Sequence, residues 1–273
     1  MLKISGLFIY PVKSLGGIAL TNAEVSSRGL EYDRRWMLVD ENNRFLSQRE
    51  VPEMALLDVE ITTNRLLVMH RLQPEEFIAV PFLFDAKEAV VCNIWDDTCL
   101  AEFVSSEIDN WFTAILKIKC RLVYMPLAAR RQVDQHYAGP DHITSFADAF
   151  PFLMVGQASL DDLNSRLQEP VSMDRFRPNI VFTGGEAFQE DQMQHFTIGS
   201  LNFYGVKPCA RCPVVNIDQE KGATGKEPLK TLSGYRKKNN KVYFGQNLVH
   251  DGEGMINIGD EIRVKESRPE KFI

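Results

Sequence analysis

Short stretches rich in β-branched and aromatic residues recur along most of this chain, and turn-forming residues separate them. They include KISGLFIYPV, RWMLVD, LLDVEIT, EAVVCNIW, HFTIGSLNFYGV and MINIGDEIRVK. Runs of this length between polar turns are typical of β-strands, and the alternation in LLDVEIT suits a sheet with one face in water. The sequence therefore predicts a mainly β protein with some α-helix, in the α+β class.

Three segments between the predicted strands carry helix signals. EIDNWFTAILK places its apolar residues on one side, with Ser106 and Asp109 as the expected capping box. SLDDLNSRL predicts a second helix capped by Ser159, and PLKTLSGYRK predicts a third with Pro228 in its first turn. The polar segment ARRQVDQHYAGPDHITSFADAFP is expected to form a long loop, the kind of segment that often carries function.

Length and charge limit the classes of protein that fit. With 273 residues, 44% of them hydrophobic, the chain can form two compact domains. Its net charge of -6 disfavours a nucleic acid partner, because binding the phosphate backbone depends on clustered lysines and arginines. Short basic pairs such as Arg130-Arg131 are expected mostly at the surface. No export signal or apolar run of about 20 residues is present, so we expect a cytoplasmic protein without membrane contact.

Several common catalytic motifs are absent from the sequence. There is no G-x-G-x-x-G, no complete phosphate-binding P-loop, no H-E-x-x-H and no G-x-S-x-G. These absences argue against a Rossmann dehydrogenase, a P-loop NTPase, a zinc metalloprotease and an α/β-hydrolase. The five cysteines form no dense framework and are odd in number, which suits a reducing compartment and leaves at least one free thiol.

Cys209 and Cys212 stand in C-x-x-C spacing within KPCARCPVVNID. Such a pair can be half of a zinc site, a redox dithiol or two packing thiols. Zinc is the weakest of these, because the other cysteines supply no second pair. A thioredoxin-like dithiol would need a helix after it, whereas Pro213 and the β-branched residues that follow disfavour one. The spacing alone leaves the role of the pair open.

A series of short strings, in one order and over essentially the whole chain, resembles the MOSC-domain family, which includes the mitochondrial amidoxime-reducing components and their bacterial relatives. The strings are YPVKS, DRRW, FRPNIV, PCARCPVVNID, TGKEPLKTLSGYR, FGQN and INIGDEI. The resemblance implies an N-terminal MOSC-associated β region at residues 1–120, whose first strands contribute to the cofactor site, and a MOSC β-barrel at residues 121–273. It also implies a molybdenum cofactor (molybdopterin) whose metal takes a protein cysteine.

The resemblance assigns the metal ligand, and with it the catalytic centre, to the second cysteine of C-x-R-C, which is Cys212 here. A thiolate is a soft ligand and suits a metal already held by sulfur. The neighbouring Arg211 is expected to favour the thiolate by its charge.

The resemblance also assigns residues to the pterin and its phosphate. Lys13 and Ser14 of YPVKS match a phosphate-binding pair, and Arg34 and Arg177 match cofactor-contacting arginines with planar forks suited to phosphate. Asn179 can both donate and accept a hydrogen bond at a ring edge.

Asp148, in the loop before the second predicted helix, matches an acidic position that could orient a ring nitrogen or relay a proton in catalysis. The chain departs from eukaryotic members at Ala149 and Phe150, where small hydroxyl residues occur, and at Met193, where tryptophan is usual. The first departure bears on local phosphate contacts and pocket shape, and the second bears on packing.

The implied activity is a molybdenum-dependent reduction that removes oxygen from small N-hydroxylated compounds such as amidoximes. We expect electrons from a separate soluble donor of flavoprotein or ferredoxin type, because the chain has no cysteine run for an iron-sulfur cluster. We do not expect pyridoxal phosphate as a cofactor, because the aminotransferase-like portion of the sulfurase relatives is absent from this sequence. Two alternatives stay open at this point: a non-catalytic carrier of the cofactor, and a sulfur-transfer protein with a persulfide on Cys209 or Cys212.

Overall fold

β-strands dominate the computed structural model, which describes residues 1–86 and 88–268. Strands β1 to β11 are Leu2–Ile9, Ile18–Leu20, Asn22–Ser26, Gly29–Leu30, Trp36–Val39, Leu57–Ile61, Arg65–His70, Gln73–Pro81, Ala89–Ile94, Asp97–Phe103 and Arg121–Tyr124. Strands β12 to β21 are Arg131–Gln132, Ile143–Thr144, Phe152–Gly156, Ile180–Thr183, Met193–Ile198, Leu201–Arg211, Lys237–Lys238, Lys241–Asp251, Gly254–Asn257 and Glu261–Ser267. The α-helices are α1 (Ser106–Leu116), α2 (Gln157–Asn164) and α3 (Leu229–Ser233). The predicted mainly β class is confirmed.

A closed barrel forms the larger part of the fold. Its strands run in the order β14, β15, β1, β21, β16, β17 and β19, and the barrel closes because β19 pairs with β14. Every pairing in this circuit is antiparallel except β14 with β15. Large apolar side chains, among them Leu7, Phe182 and Phe203, are buried in one core cluster. The predicted β-barrel is confirmed, and β1, the first strand of the chain, is one of its strands.

The N-terminal half adds two smaller sheets. One has the order β5, β11, β10 and β9, and the other has the order β6, β7 and β8. Helix α1 packs Ile108 and Phe112 into the apolar core beside them. Strand β11 lies in the first of these sheets although it follows residue 120. The division of the chain at residue 120 stays a prediction.

The start of α1 differs from its predicted capping box. The N-cap is Ser105, whose hydroxyl accepts a hydrogen bond from the backbone N–H of Ile108 at 3.3 Å, and not Ser106. The carboxylate of Asp109 instead accepts from the backbone N–H of Leu122 at 2.7 Å. The prediction was wrong because a tertiary contact with β11 uses the carboxylate that a local cap would need.

Helix α2 begins two residues before its predicted cap. Its N-cap position is Gly156, without a side-chain cap, and Ser159 lies inside the helix. The Ser159 hydroxyl donates to a carboxylate oxygen of Glu190 at 2.9 Å. The predicted capping box at Ser159 was therefore wrong, since a buried acid from a distant segment takes the hydroxyl. Helix α3 follows Pro228 as expected, although it is short.

Arg131 anchors the C-terminal end of the predicted long loop before β14. This residue was expected at the surface but is buried, and its guanidinium donates to the carbonyl oxygens of Ser145 and Asp148, each at 3.0 Å. It also pairs with Asp97 of β10 at 2.8 Å. The loop is otherwise irregular apart from the two-residue strands β12 and β13. Arg131 thus fixes the backbone that carries Asp148.

Glu190 makes the stability of the fold depend on pH. Complete burial, and secondarily the charge of Asp191, raise the pKa of Glu190 to about 7, from 4.5 ordinarily. Between these two pH values the folded state holds a proton that the unfolded state has released. The free energy of unfolding should therefore fall as pH rises through this window, by up to about 1.4 kcal/mol per pH unit, and level off above it.

We expect Glu190→Gln to remove this dependence, because an amide does not titrate. Urea midpoints of both proteins, measured from pH 5 to pH 8, should diverge in favour of the variant as pH rises. An unchanged difference across that range would mean that Glu190 titrates normally in the folded protein.

None of the described helices is both long enough and apolar enough to cross a lipid bilayer.

Candidate functional site

A cleft of about 900 Å³ opens where one end of the barrel meets residues of the N-terminal half. Its outer part is open to solvent, and its lining combines apolar, polar and charged side chains. The eight residues predicted from the sequence all line it: Lys13, Ser14, Arg34, Asp148, Arg177, Asn179, Arg211 and Cys212. Arg211 ends β17 and Cys212 follows it, whereas the other six lie in the segments before β2, β5, β14 and β15. The fold thus brings together positions that are far apart along the chain.

Lys13 and Asp148 form an ion pair on one wall of the cleft. The Lys13 ammonium donates to a carboxylate oxygen of Asp148 at 2.6 Å and to the carbonyl of Phe146 at 2.8 Å. Desolvation in the cleft raises the pKa of Asp148. The charge of Lys13, aided by that of Arg34, has a larger effect and holds this pKa well below its usual range. Asp148 is therefore ionised at neutral pH, which favours an orienting role over proton donation.

Ser14 adopts a left-handed backbone conformation, with φ of 70°. Such a conformation costs a non-glycine residue of order 1–3 kcal/mol and persists where surrounding contacts impose it. Here the buried amide of Gln48 donates to the Ser14 carbonyl at 2.8 Å. Gln48 in turn exchanges hydrogen bonds with Gln219, at 3.1 and 3.0 Å. These glutamines could not be predicted, since nothing in the local sequence pattern links them to Ser14.

Two guanidinium groups make cation–π contacts with the ring of Tyr10. Those of Arg34 and Arg177 lie 4.6 and 4.1 Å from its centroid. Arg34 is paired with Asp33 at 2.6 Å. Burial, with a further contribution from the Arg34 charge, lowers the pKa of Arg177 to about 10, so Arg177 is still a cation at neutral pH.

Two arginines that line the cleft have unsatisfied hydrogen-bond donors within the described part of the chain. One terminal nitrogen of Arg177 and one of Arg211 are buried without a partner among the described residues. Buried polar groups normally have a partner, and a missing one costs about 1–3 kcal/mol or more for a charged group. Two such donors in one cleft fit an anionic ligand that would complete their hydrogen bonding.

The charge of the cleft contrasts with that of the chain. Six cationic side chains line it: Lys13, Arg34, Arg49, Arg175, Arg177 and Arg211. Among the described lining residues, Asp148 is the one carboxylate, although the chain carries a net charge of -6. A cofactor that bears a phosphate therefore fits this donor set.

Asn179 supports the site from within the protein. Its side-chain oxygen accepts from the Leu153 backbone N–H at 3.2 Å and from Arg34 at 3.3 Å. Its amide nitrogen donates to the carbonyl of Phe8 at 3.2 Å. The observed contacts hold Arg34 in place and tie β1 to β14, whereas a contact between Asn179 and a ligand ring stays a prediction.

Cys212 follows the last residue of β17 and is partly exposed in the cleft. Its sulfur lies 3.4 Å from a terminal nitrogen of Arg49, a residue 163 positions away. Arg211, which the sequence analysis placed beside the sulfur, directs its guanidinium to the carbonyls of Phe244 and Phe176 instead, at 2.8 and 2.9 Å. The cation in contact with the sulfur is thus Arg49, which no local motif could have indicated.

The other thiols are less suited to ligation. Burial raises the pKa of Cys92 to about 12 and that of Cys120 to about 11, and it also raises the pKa of Cys99. Cys209 lines the cleft, but its desolvation raises its pKa despite the charge of Arg211. Within residues 1–86 and 88–268, no three His, Cys, Asp or Glu side chains gather into a metal-binding group. Cys212 is the better single candidate for a ligand.

The three positions where the chain departs from eukaryotic members lie in the cleft wall and in the barrel core. Phe150 lines the cleft and packs edge-on against Tyr137, with ring centroids 6.0 Å apart. Ala149 also lines the cleft, so both changes alter its wall. Met193 is buried in the barrel core, in agreement with a packing role.

Comparison with known proteins adds independent findings. Residues 141–263 match the MOSC domain model, and residues 1–119 match the MOSC N-terminal beta barrel domain model. Mitochondrial amidoxime-reducing component 1 of Mus musculus is 30% identical over 278 residues, covering 95% of this chain and 81% of the relative. The Homo sapiens protein of that name is 30% identical and covers 95% and 82%. Molybdenum cofactor sulfurase of Oryza sativa subsp. japonica is 28% identical over 89% of this chain but only 32% of its own length.

Proposed function

The chain belongs to the MOSC-domain family, and from this premise we propose that it binds a molybdenum cofactor and reduces small N-oxygenated compounds. One observation carries the proposal. A partly exposed cysteine and two arginines, each with a buried guanidinium nitrogen that has no partner among the described residues, line the same cleft. The first can ligate a soft metal and the second can bind a phosphate-bearing ligand. The names of the relatives, amidoxime-reducing component and molybdenum cofactor sulfurase, support molybdenum as that metal.

The cationic end of the cleft is assigned to the anionic part of the cofactor. Arg177 and Arg211 have buried N–H groups without partners in the described part of the chain, and Lys13 adds an ammonium that Asp148 holds in position. Hydrogen bonds to charged groups contribute about 1.5–3 kcal/mol each. Several of them would retain the cofactor tightly without a covalent link at that end.

Cys212 is assigned as the protein ligand of the metal. It directly follows the last residue of a barrel strand, which anchors its backbone, and it lines the cleft. A site carried on a rigid strand holds a ligand more reproducibly than one on a loop. When bound, the cofactor supplies the two-electron redox chemistry.

The proposed reaction converts an N–OH group to N–H and releases water, with uptake of two electrons and two protons. The N-hydroxylated substrate enters beside Cys212, where the exposed side chains of Arg49 and Trp95 border the cleft. Asp148, as a carboxylate, can accept a hydrogen bond from an N–H group nearby. We place the protein in the cytoplasm and assign the electrons to a separate soluble donor of flavoprotein or ferredoxin type.

The proposal is tested with protein made in a host that synthesises molybdopterin. We expect close to one molybdenum per chain and repeated turnover of benzamidoxime to benzamidine with a viologen reductant. Protein from a molybdopterin-deficient host should be inactive. Bound molybdenum without turnover would identify a carrier instead, and labile sulfane sulfur without metal would identify a sulfur-transfer protein.

A further inference from the structure

Arg49 is an exposed cation at the mouth of the cleft without an ion-pair partner among the described residues. From its position we propose that Arg49 selects neutral N-hydroxylated substrates over cationic molecules of the same shape, and so disfavours rebinding of the reduced, basic product. This inference rests on the proposed function, because it concerns the substrate of that same site.

Two contacts fix the guanidinium of Arg49 in place. A terminal nitrogen lies 3.4 Å from the Cys212 sulfur, and the group stacks 4.5 Å from the centroid of the Trp95 ring. Trp95 is itself held by Asp148, to which its indole N–H donates at 3.3 Å, and by the edge of Phe45 at 4.9 Å between centroids. A molecule that approaches Cys212 from solvent therefore passes close to a positioned positive charge.

Two carboxylates close to Trp95 are themselves paired with cations. Asp148 is neutralised by Lys13 at 2.6 Å, and Asp97, at the base of the Trp95 turn, is neutralised by Arg131 at 2.8 Å. The cations deeper in the cleft are assigned to the anionic part of the cofactor. Arg49 is thus a positive charge at the entrance that no ion pair among the described residues neutralises, and its exposure leaves it subject to screening by salt.

Charge distinguishes the substrate of the proposed reaction from its product. The electronegative oxygen of an amidoxime withdraws electrons from the amidine system, so the compound is neutral near pH 7. Two electrons and two protons break the N–O bond, the oxygen leaves as water, and the resulting amidine takes a further proton and becomes a cation. Repulsion between this cation and Arg49 favours product release.

The test measures binding of benzamidine, a cation, and benzamide, its neutral analogue, to molybdenum-loaded protein by calorimetry at low salt. The ratio of their dissociation constants isolates the charge effect from shape. At a separation of several Å near a protein surface, one charge changes binding by roughly tenfold. We therefore expect Arg49→Gln to strengthen benzamidine binding relative to benzamide by roughly tenfold.

Control variants separate local from global charge. Arg49→Lys keeps the charge and should leave the ratio within about threefold of wild type. Arg263→Gln removes the same charge from β21, outside the cleft, and should leave it unchanged. Salt at about 0.5 M should bring the wild type towards the Arg49→Gln value. Equal ratios in wild type and Arg49→Gln would overturn the inference.

The outcome is distinguishable from failure of the proposed function. Turnover of benzamidoxime with an unchanged binding ratio would overturn the role of Arg49 alone. A shifted ratio without turnover would uphold the selectivity of the mouth and overturn the reductase assignment.

Discussion

Cys212→Ser is expected to lower both molybdenum retention and benzamidoxime reduction by at least about 100-fold, because a hydroxyl replaces a soft thiolate ligand. Changes to groups that merely orient a metal ligand already cost about 10–100-fold, so loss of the ligand itself should cost no less. Cys212 is partly exposed and its side chain lies outside the buried apolar clusters, so the urea midpoint of the cofactor-free protein should not change.

Cys209→Ser is the matched control, since Cys209 lines the same cleft three residues earlier. Its raised pKa keeps it a neutral thiol, and we expect less than about a threefold loss of metal. Molybdenum per chain and initial rates are the measurements. Equal losses in the two variants, or full metal in Cys212→Ser, would contradict the assignment of the ligand.

Arg177→Met should weaken cofactor retention by roughly 10- to 100-fold, which corresponds to the loss of one charged hydrogen bond of about 1.5–3 kcal/mol. One of its terminal nitrogens is buried without a partner among the described residues, and the cofactor is proposed to supply that partner. The same variant should not destabilise the cofactor-free protein strongly, because it removes an unsatisfied buried donor. Release of the cofactor is followed by the fluorescence of its oxidised pterin in filtrates taken over time.

Arg175→Met provides the comparison, because both arginines line the cleft but differ in their partners. Arg175 is already bound to Asp218 at 3.2 Å and to the Val215 carbonyl at 3.5 Å. We expect its replacement to change the release rate by less than about threefold. If Arg175→Met released the cofactor as fast as Arg177→Met, the unsatisfied donor would not be the feature that retains it.

The strand content and the barrel could be predicted because alternation of apolar and polar residues records which face of a strand is buried. β6 illustrates this, since Leu57 and Val59 are buried whereas Glu60 is exposed. Helix starts were less predictable. Asp109 and Ser159 form bonds with β11 and Glu190, contacts that become available only after the chain has folded.

The cleft was predictable only where a string of residues resembled a known family. That resemblance indicated residues from Lys13 to Cys212, and all of them line one cavity. It did not indicate Arg49 or Gln48, whose partners in the site are distant along the chain or bound through backbone atoms. It also placed Arg211 beside the sulfur, whereas carbonyl acceptors in the barrel turn its guanidinium away.

The most direct test of the account is an anomalous diffraction map of crystals of the molybdenum-loaded protein, collected at the molybdenum absorption edge. One strong peak is expected in the cleft, within bonding distance of the Cys212 sulfur. A peak bonded to Cys209, or a fully loaded protein whose metal lies away from both sulfurs, would contradict it.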